Sequence, residues 1–281
     1  MLRNNSISTM RINAKHFLKT NLKYINMKLT NKTILITGGG TGIGLALAAA
    51  LEEQNNTVII TGRRLDKLKA AAKKIPALQF FQCDVTDPAS IDILFQHLKQ
   101  KNIVLDVVFN NAGVIELWDI AHETITSNDI FTKINTNLTG PICLTQNFIR
   151  QANTDNKNYI INITSQAAIM PVPIMPLYST SKAGLSVFTQ ILRQQLKGSN
   201  FKVVEIIPPA TETSMTTQDI KNTTKLMETG YIAGKILETV EKGKGEYAPG
   251  SNVVILRILR RFFPKAGLSL IDKLSRKQIA V

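Results

Sequence analysis

Acidic residues are scarce in this chain. Its 281 residues carry 20 Asp and Glu against 34 Lys and Arg, a formal charge of +14. There are only two cysteines, three histidines and 6% aromatics. Cys83 and Cys143 lack the pair spacing of a metal site or a disulfide framework, so both are expected as reduced core residues in a reducing compartment, the cytoplasm. His16, His97 and His122 have no i, i+4 partner and no nearby cysteine, which leaves a metal site nothing to stand on. A nucleic-acid surface interleaves aromatics with its cations or carries a recognition motif; neither is present, and no nucleic acid is expected as a partner. No run approaches the roughly 20 apolar residues of a membrane span.

What is present is apolar content of 44% arranged as strand and helix patterns in alternation, enough to bury one sizeable core. Residues 1–26 are basic and acid-free, without the apolar segment of a secretory signal. They read as an N-terminal extension with no fold role, expected to be disordered, with a mitochondrial presequence as the alternative. The domain is expected over 27–250. Beyond it, residues 251–281 carry Arg257, Arg260, Arg261, Lys265, Lys273, Arg276 and Lys277 against Asp272 alone, among many Leu, Ile and Phe. Such a basic amphipathic tail either packs on its own domain with a solvated basic face, covers a partner subunit, or lies peripherally on an anionic membrane.

The most informative stretch is Thr37-Gly38-Gly39-Gly40-Thr41-Gly42-Ile43-Gly44, between the apolar run Thr33–Ile36 and the alanine-rich run Leu45–Leu51. A buried strand, a glycine turn and a helix in succession make a phosphate cradle, because backbone N–H groups at a helix start bind anions when no side chain shields them. The spacing is G-x-x-x-G-x-G, which differs from the G-x-G-x-x-G dinucleotide fingerprint. The next strand, from Thr57, ends in Gly62-Arg63-Arg64. At that place an acid would accept a ribose 2′-hydroxyl and a cation would accommodate a 2′-phosphate, so two arginines point to NADP(H) over NAD(H). Further strands are expected over 78–85, 104–109 and 159–163, with helices at 65–74 and 124–152, the latter disturbed by Pro141. Asp87 and Pro88 form a helix start. This alternation predicts a doubly wound parallel sheet with its ligand crevice at the strands' carboxyl ends.

Tyr178 and Lys182 stand four apart at the start of an expected helix, hence on one face. An ammonium beside a phenol favours the phenolate and brings it toward the range useful for general acid–base catalysis. Ser165, at a strand end, can present its hydroxyl to the same substrate oxygen. Taken in order and spacing, the Thr37–Gly44 turn, Asn110-Asn111-Ala112-Gly113, Asn137, Ser165 and Tyr178-x-x-x-Lys182 closely resemble the classical short-chain dehydrogenase/reductase family over residues 28 to about 248. Within it, the chain looks most like small bacterial oxidoreductases without an assigned substrate.

The resemblance implies a single Rossmann-type sheet flanked by helices, a homodimer or homotetramer, and an NADP(H)-dependent enzyme interconverting a carbonyl and a secondary alcohol. The alternative is a redox-sensing or interaction module that binds NADP(H) without turnover. By the same resemblance Ser165 holds the substrate oxygen and Tyr178 exchanges the proton. Lys182 binds the nicotinamide ribose and lowers the tyrosine pKa, and Asn137 holds a water in the proton relay. The cofactor contacts it implies are Gly38, Gly40, Thr41, Gly42, Ile43, Gly44, Arg63, Arg64, Asp84, Val85, Asn111, Ala112, Gly113, Tyr178, Lys182, Pro208, Thr211 and Thr213. One departure stands out: the family's Pro-Gly is Pro208-Pro209 here, which fixes a φ near −65° where glycine would be free.

Overall fold

Runs of β-branched residues become strands wherever both their faces are covered. Thr33–Thr37 (β1) sends Ile34 and Ile36 to one side of the sheet and Leu35 to the other, all fully buried, as the two-residue strand period requires. The computed structural model describes residues 29–211, 226–243, 245–248 and 251–277. Around β1 it assembles β2 (Thr57–Gly62), β3 (Gln79–Gln82), β4 (Val107–Asn110), β5 (Asn158–Ile163), β6 (Phe201–Ile206) and β7 (Glu246–Tyr247). The order is β3-β2-β1-β4-β5-β6-β7 and all neighbours are parallel. The order reverses between β1 and β4, which opens a crevice at their carboxyl ends.

Helices cover both faces, because parallel strands need crossovers. On one face α1 (Gly42–Glu52) and α8 (Thr229–Glu241) bury Leu47, Leu51, Ile232 and Ile236 against Ile34, Ile36 and Ile60. On the other, α3 (Pro88–Gln100), α5 (Gly140–Gln151) and α7 (Pro176–Gln195) bury Leu94, Phe95, Leu144, Phe148 and Leu192 against Leu35, Val108 and Ile160. The remaining helices are α2 (Leu65–Lys74), α4 (Ser127–Ile134), the short α6 (Gln166–Ile169), α9 (Ser251–Phe262) and α10 (Pro264–Lys277).

Three expectations change. The third strand is four residues long, not eight: it is the sheet's edge, and Asp84 leaves it by accepting the Thr86 N–H at 2.9 Å. The helical stretch over 124–152 starts at Ser127, capped by Thr126 and Asp129 reciprocally, and contains a π-helical turn at Asn135–Thr139 just before Pro141. A proline there has no N–H for the carbonyl four residues back, so the wider turn takes up the mismatch. Within the expected tail, residues 251–277 form two helices meeting at Pro264, and α9 lies against α6 and α10. The Asp87 cap is as expected, its carboxylate accepting from the Ala89 N–H at 3.0 Å with Pro88 in the first helical turn. Residues 1–26 lie outside the described residues.

Candidate active site

The glycine turn reaches its shape through Gly38 and Gly42, with φ of +65° and +56°, a region in which side chains are strained. Gly44 is required for another reason: a Cβ on it would lie 2.5 Å from both the Asn111 side chain and the Gly38 carbonyl oxygen. Thr41 starts α1 without a side-chain cap bond and the first turn holds no acid, a helix start of the kind that suits an anion.

The segment Asn110–Gly113 ties this turn to the rest of the sheet. Thr37 Oγ1 accepts the N–H groups of Asn111 and Ala112 at 3.0 and 2.9 Å, and Asn111 Nδ2 donates to the Thr37 carbonyl at 2.8 Å. Asn110 is buried and belongs to a polar chain through the core, donating to Asn162 Oδ1 at 2.7 Å and to Thr145 Oγ1 at 3.0 Å. Asn162 in turn donates to Thr189 at 2.8 Å. These bonds fix β4, β5 and α7 in mutual register.

One cavity of about 360 Å³ runs along the carboxyl ends of the strands, within the usual range for ligand sites. At one end it is lined by Arg63, Arg64 and Lys67, at its middle by Gly38, Gly40, Thr41, Gly42, Ile43 and Asn111 to Gly113, and at the other end by Thr164, Tyr178, Lys182 and Pro208. Cys83 and Val85 line it as well. Arg63 and Arg64 are exposed, and Arg64 precedes the first turn of α2, a position where the macrodipole disfavours cations. Lys67, in the first turn of α2, is a third cation that the sequence pattern did not single out.

At the opposite end the side chains are enclosed. Lys182 is 4% exposed; its Nζ donates to the Ile163 carbonyl at 2.8 Å and lies 5.8 Å from the Tyr178 ring centre. Loss of water around it brings its pKa down to about 8. Ser165 caps α6 by accepting the Ala167 N–H at 3.1 Å and is hydrogen-bonded to the Tyr178 hydroxyl. Asn137 is fully buried, and its amide pairs with Val114 in both directions at 2.9 Å. A Cβ on Gly113 would lie 3.2 Å from Asn137 Oδ1 and 3.6 Å from Lys182 Nζ, so this glycine sits against both.

Several expectations need correction here. Tyr178 is held above the ordinary phenol range, not below it. Burial raises it, the Ser165 hydrogen bond opposes the rise, and the charge of Glu116 adds to it. Asp84 turns its carboxylate onto the Thr86 N–H and hydroxyl and does not line the cavity, whereas its neighbours do. The Asn137 side chain is spent on Val114, and Pro141 withdraws the α-helical N–H that its carbonyl would otherwise receive. Gly44 and Asn137 are buried behind the cavity lining, whereas Ser165 is half-buried and meets the cavity beside Tyr178. Thr211 is buried beside Pro209, donating to its carbonyl at 2.8 Å, and forms a bridge with Met227. Thr213 lies outside the described residues.

Glu116 was not visible from sequence. It is 7% exposed, its Oε1 accepts the Tyr178 N–H at 2.8 Å, and its Oε2 is buried without a hydrogen-bond partner among the described residues. A carboxylate at this helix start answers the orphan amides of α7 and the macrodipole, yet burial pushes its pKa up. No spacing rule links Glu116 to a helix 60 residues later.

Known proteins agree with this geometry. The short chain dehydrogenase family model matches residues 32–224. The chain is 35% identical over 192 residues to the uncharacterized oxidoreductase DltE of Bacillus subtilis, covering 67% of this chain and 75% of that protein. Among solved structures, a short chain dehydrogenase from Burkholderia cenocepacia in complex with NADP superposes with a TM-score of 0.70 at 25% identity, covering 78% of this chain and 96% of that one. A 3-ketoacyl-(acyl-carrier-protein) reductase from Brucella melitensis complexed with NADH gives 0.71 at 22% identity, with the same coverage. The sheet order, the glycine turn and the family match together identify the chain as a member of the short-chain dehydrogenase family, an NAD(P)-dependent oxidoreductase.

Proposed function

We propose that this chain transfers hydride between NADP(H) and a small molecule bearing a carbonyl or secondary alcohol, with Tyr178 as the general acid and base. The carrying observation is the single cavity that joins three cations at one end to Tyr178 and Lys182 at the other. An extended cofactor with phosphates at two places fits that distribution: its 2′-phosphate meets Arg63, Arg64 and Lys67, and its pyrophosphate meets the amides of the glycine turn. The cofactor supplies or accepts the hydride; the protein orients it and manages the proton.

Ser165 donates its hydroxyl to the substrate oxygen, and the Ser165–Tyr178 hydrogen bond keeps the phenol next to that same oxygen. In reduction Tyr178 gives its proton to the oxygen. Its raised pKa keeps the proton on the phenol at neutral pH, which suits an acid. Lys182 holds the nicotinamide ribose and offsets negative charge on the phenolate left behind. The Asn137 carbonyl holds a water that returns the proton. Val85, Pro208, Thr211 and Thr213 complete the cofactor contacts, and the protein works in the cytoplasm as a homodimer or homotetramer on a domain spanning 27–250.

The test is fluorescence titration with NADPH and NADH, followed by a carbonyl screen for NADPH oxidation and light scattering for the assembly. Tighter binding of NADPH together with turnover supports the reading. Equal affinity for the two cofactors overturns the role of the arginines. Binding with no turnover across aldehydes and ketones favours a sensing module instead.

A further inference from the structure

The two C-terminal helices expose what a folded domain normally covers. Phe262 and Phe263 are 68% and 58% exposed at the joint between α9 and α10, and Val254, Ile255 and Ile258 are exposed on α9. Val254, Ile258 and Phe262 recur at four-residue intervals, which aligns them as one apolar stripe. The buried side of the pair is narrow: Val253 and Ser275 are buried, and a Cβ on Gly267 would press on Met170 and Leu259 at 2.7 and 3.1 Å.

The cations divide into two groups. Arg257 is paired with Glu246 at 2.5 Å, and Arg276 with Asp119 at 2.7 Å and Asp272 at 2.9 Å, so these two fasten the helices to the body of the domain. Arg260, Arg261, Lys265 and Lys273 have no acidic partner among the described residues. Three of these four flank the exposed phenylalanines in the run Arg260-Arg261-Phe262-Phe263-Pro264-Lys265.

From this we infer that the α9–α10 corner docks on an anionic phospholipid surface, Phe262 and Phe263 entering the headgroup boundary while Arg260, Arg261 and Lys265 meet lipid phosphates. Aromatic side chains beside unpaired cations are the composition of an interfacial helix. Charge decides against a second copy of the chain as the occupant. A twofold contact through this corner would set the same arginines opposite each other, with Asp272 as the region's only acid and already paired. Among the described residues no helix is long and apolar enough to cross a membrane, so the contact is peripheral. It is independent of the proposed chemistry, since neither phenylalanine lines the cofactor cavity.

The full chain is floated with phosphatidylcholine vesicles and with phosphatidylcholine–phosphatidylglycerol vesicles, at low and high salt. Flotation with the anionic vesicles alone, weakened by salt, is expected. The triple change R260Q/R261Q/K265Q is expected to lower partitioning about a hundredfold, at about 1 kcal/mol per cation near an anionic surface. F262S/F263S is expected to lower it as well. Both variants keep NADPH binding, which reports that they are folded and separates failure here from failure of the proposed activity. Equal flotation on neutral and anionic vesicles, or flotation unchanged in both variants, overturns the inference. So does a dimer in sedimentation that dissociates in F262S/F263S, which makes a second copy the occupant.

Discussion

The two ends of the cofactor cavity are built on opposite principles. At the Arg63 end the charged groups are exposed, arranged along the start of α2, and among the described residues only Lys67 has an acidic partner, Asp66 at 3.7 Å. At the Tyr178 end the groups are few and enclosed, and each is tied to a particular atom: Lys182 to the Ile163 carbonyl, Glu116 to the Tyr178 N–H, Asn137 to Val114. Exposed charges act through their number and sign and are screened by salt. Enclosed ones act through geometry and through the cost of removing water, which is why burial shifts the Glu116, Tyr178 and Lys182 pKa values at that end.

If the contrast holds, changes at the enclosed end strike chemistry, fold and pH dependence, while changes at the exposed end strike cofactor choice alone. The largest effect is expected from Tyr178→Phe, which should lower kcat about 10²- to 10⁴-fold, the range for a lost general acid, with NADPH affinity kept. Stopped-flow measurement of NADPH oxidation checks it; unchanged turnover would remove Tyr178 from the mechanism. Thr37→Val, between the two ends, strips the Ala112 N–H of its acceptor, while the Asn111 N–H keeps the Phe109 carbonyl at 3.0 Å. It should cost about 1–3 kcal/mol, the range for one unsatisfied group, read from the urea midpoint.

Replacing Arg63 and Arg64 together by Gln should weaken NADPH about 10- to 100-fold, given about 1.5–3 kcal/mol for hydrogen bonds to charged groups in favourable cases. NADH affinity and the urea midpoint should stay where they are. A loss of stability in that variant would break the comparison. Lys182 sharpens it from the other side. Its pKa near 8 means that its charge is present below that pH and lost above it. NADPH affinity is therefore expected to weaken as pH rises through about 8, and Lys182→Met to abolish that step.

The smallest effect belongs to Glu116→Gln. The raised pKa of the Glu116 carboxyl means that the folded state holds its proton more tightly than the unfolded chain does. Stability therefore falls as pH rises through the folded-state pKa. The variant should match the wild type in acid and gain on it as the carboxyl ionises, in thermal melts taken across that range. Removing the charge also lowers the Tyr178 pKa, so the alkaline limb of the pH–rate profile should move down. A profile that does not move would leave Glu116 only the capping of α7.

Much of this was legible in the sequence because it depends on local order along the chain. The strand, glycine turn and helix from Thr33 to Glu52, the cap at Asp87 and Pro88, and the four-residue spacing of Tyr178 and Lys182 are properties of neighbouring residues. What stayed hidden depends on distance. Lys67 becomes the third cation only because α2 lies along the cavity. Asp84 turns away because an edge strand can end early in a hydrogen-bonded turn. The Tyr178 shift runs opposite to what spacing suggests, because spacing reports the nearby ammonium but not the burial.

By itself the sequence determined the alternation of strands and helices, the family, and the residue types that meet a phosphate or exchange a proton, since these follow from backbone periods and functional-group chemistry. Only the tertiary structure decided which polar groups are enclosed together. Desolvation depends on every atom around a group and not on its neighbours in sequence, so Glu116, the Asn137–Val114 pairing and the exposed phenylalanines of the α9–α10 corner became visible only once the chain was folded.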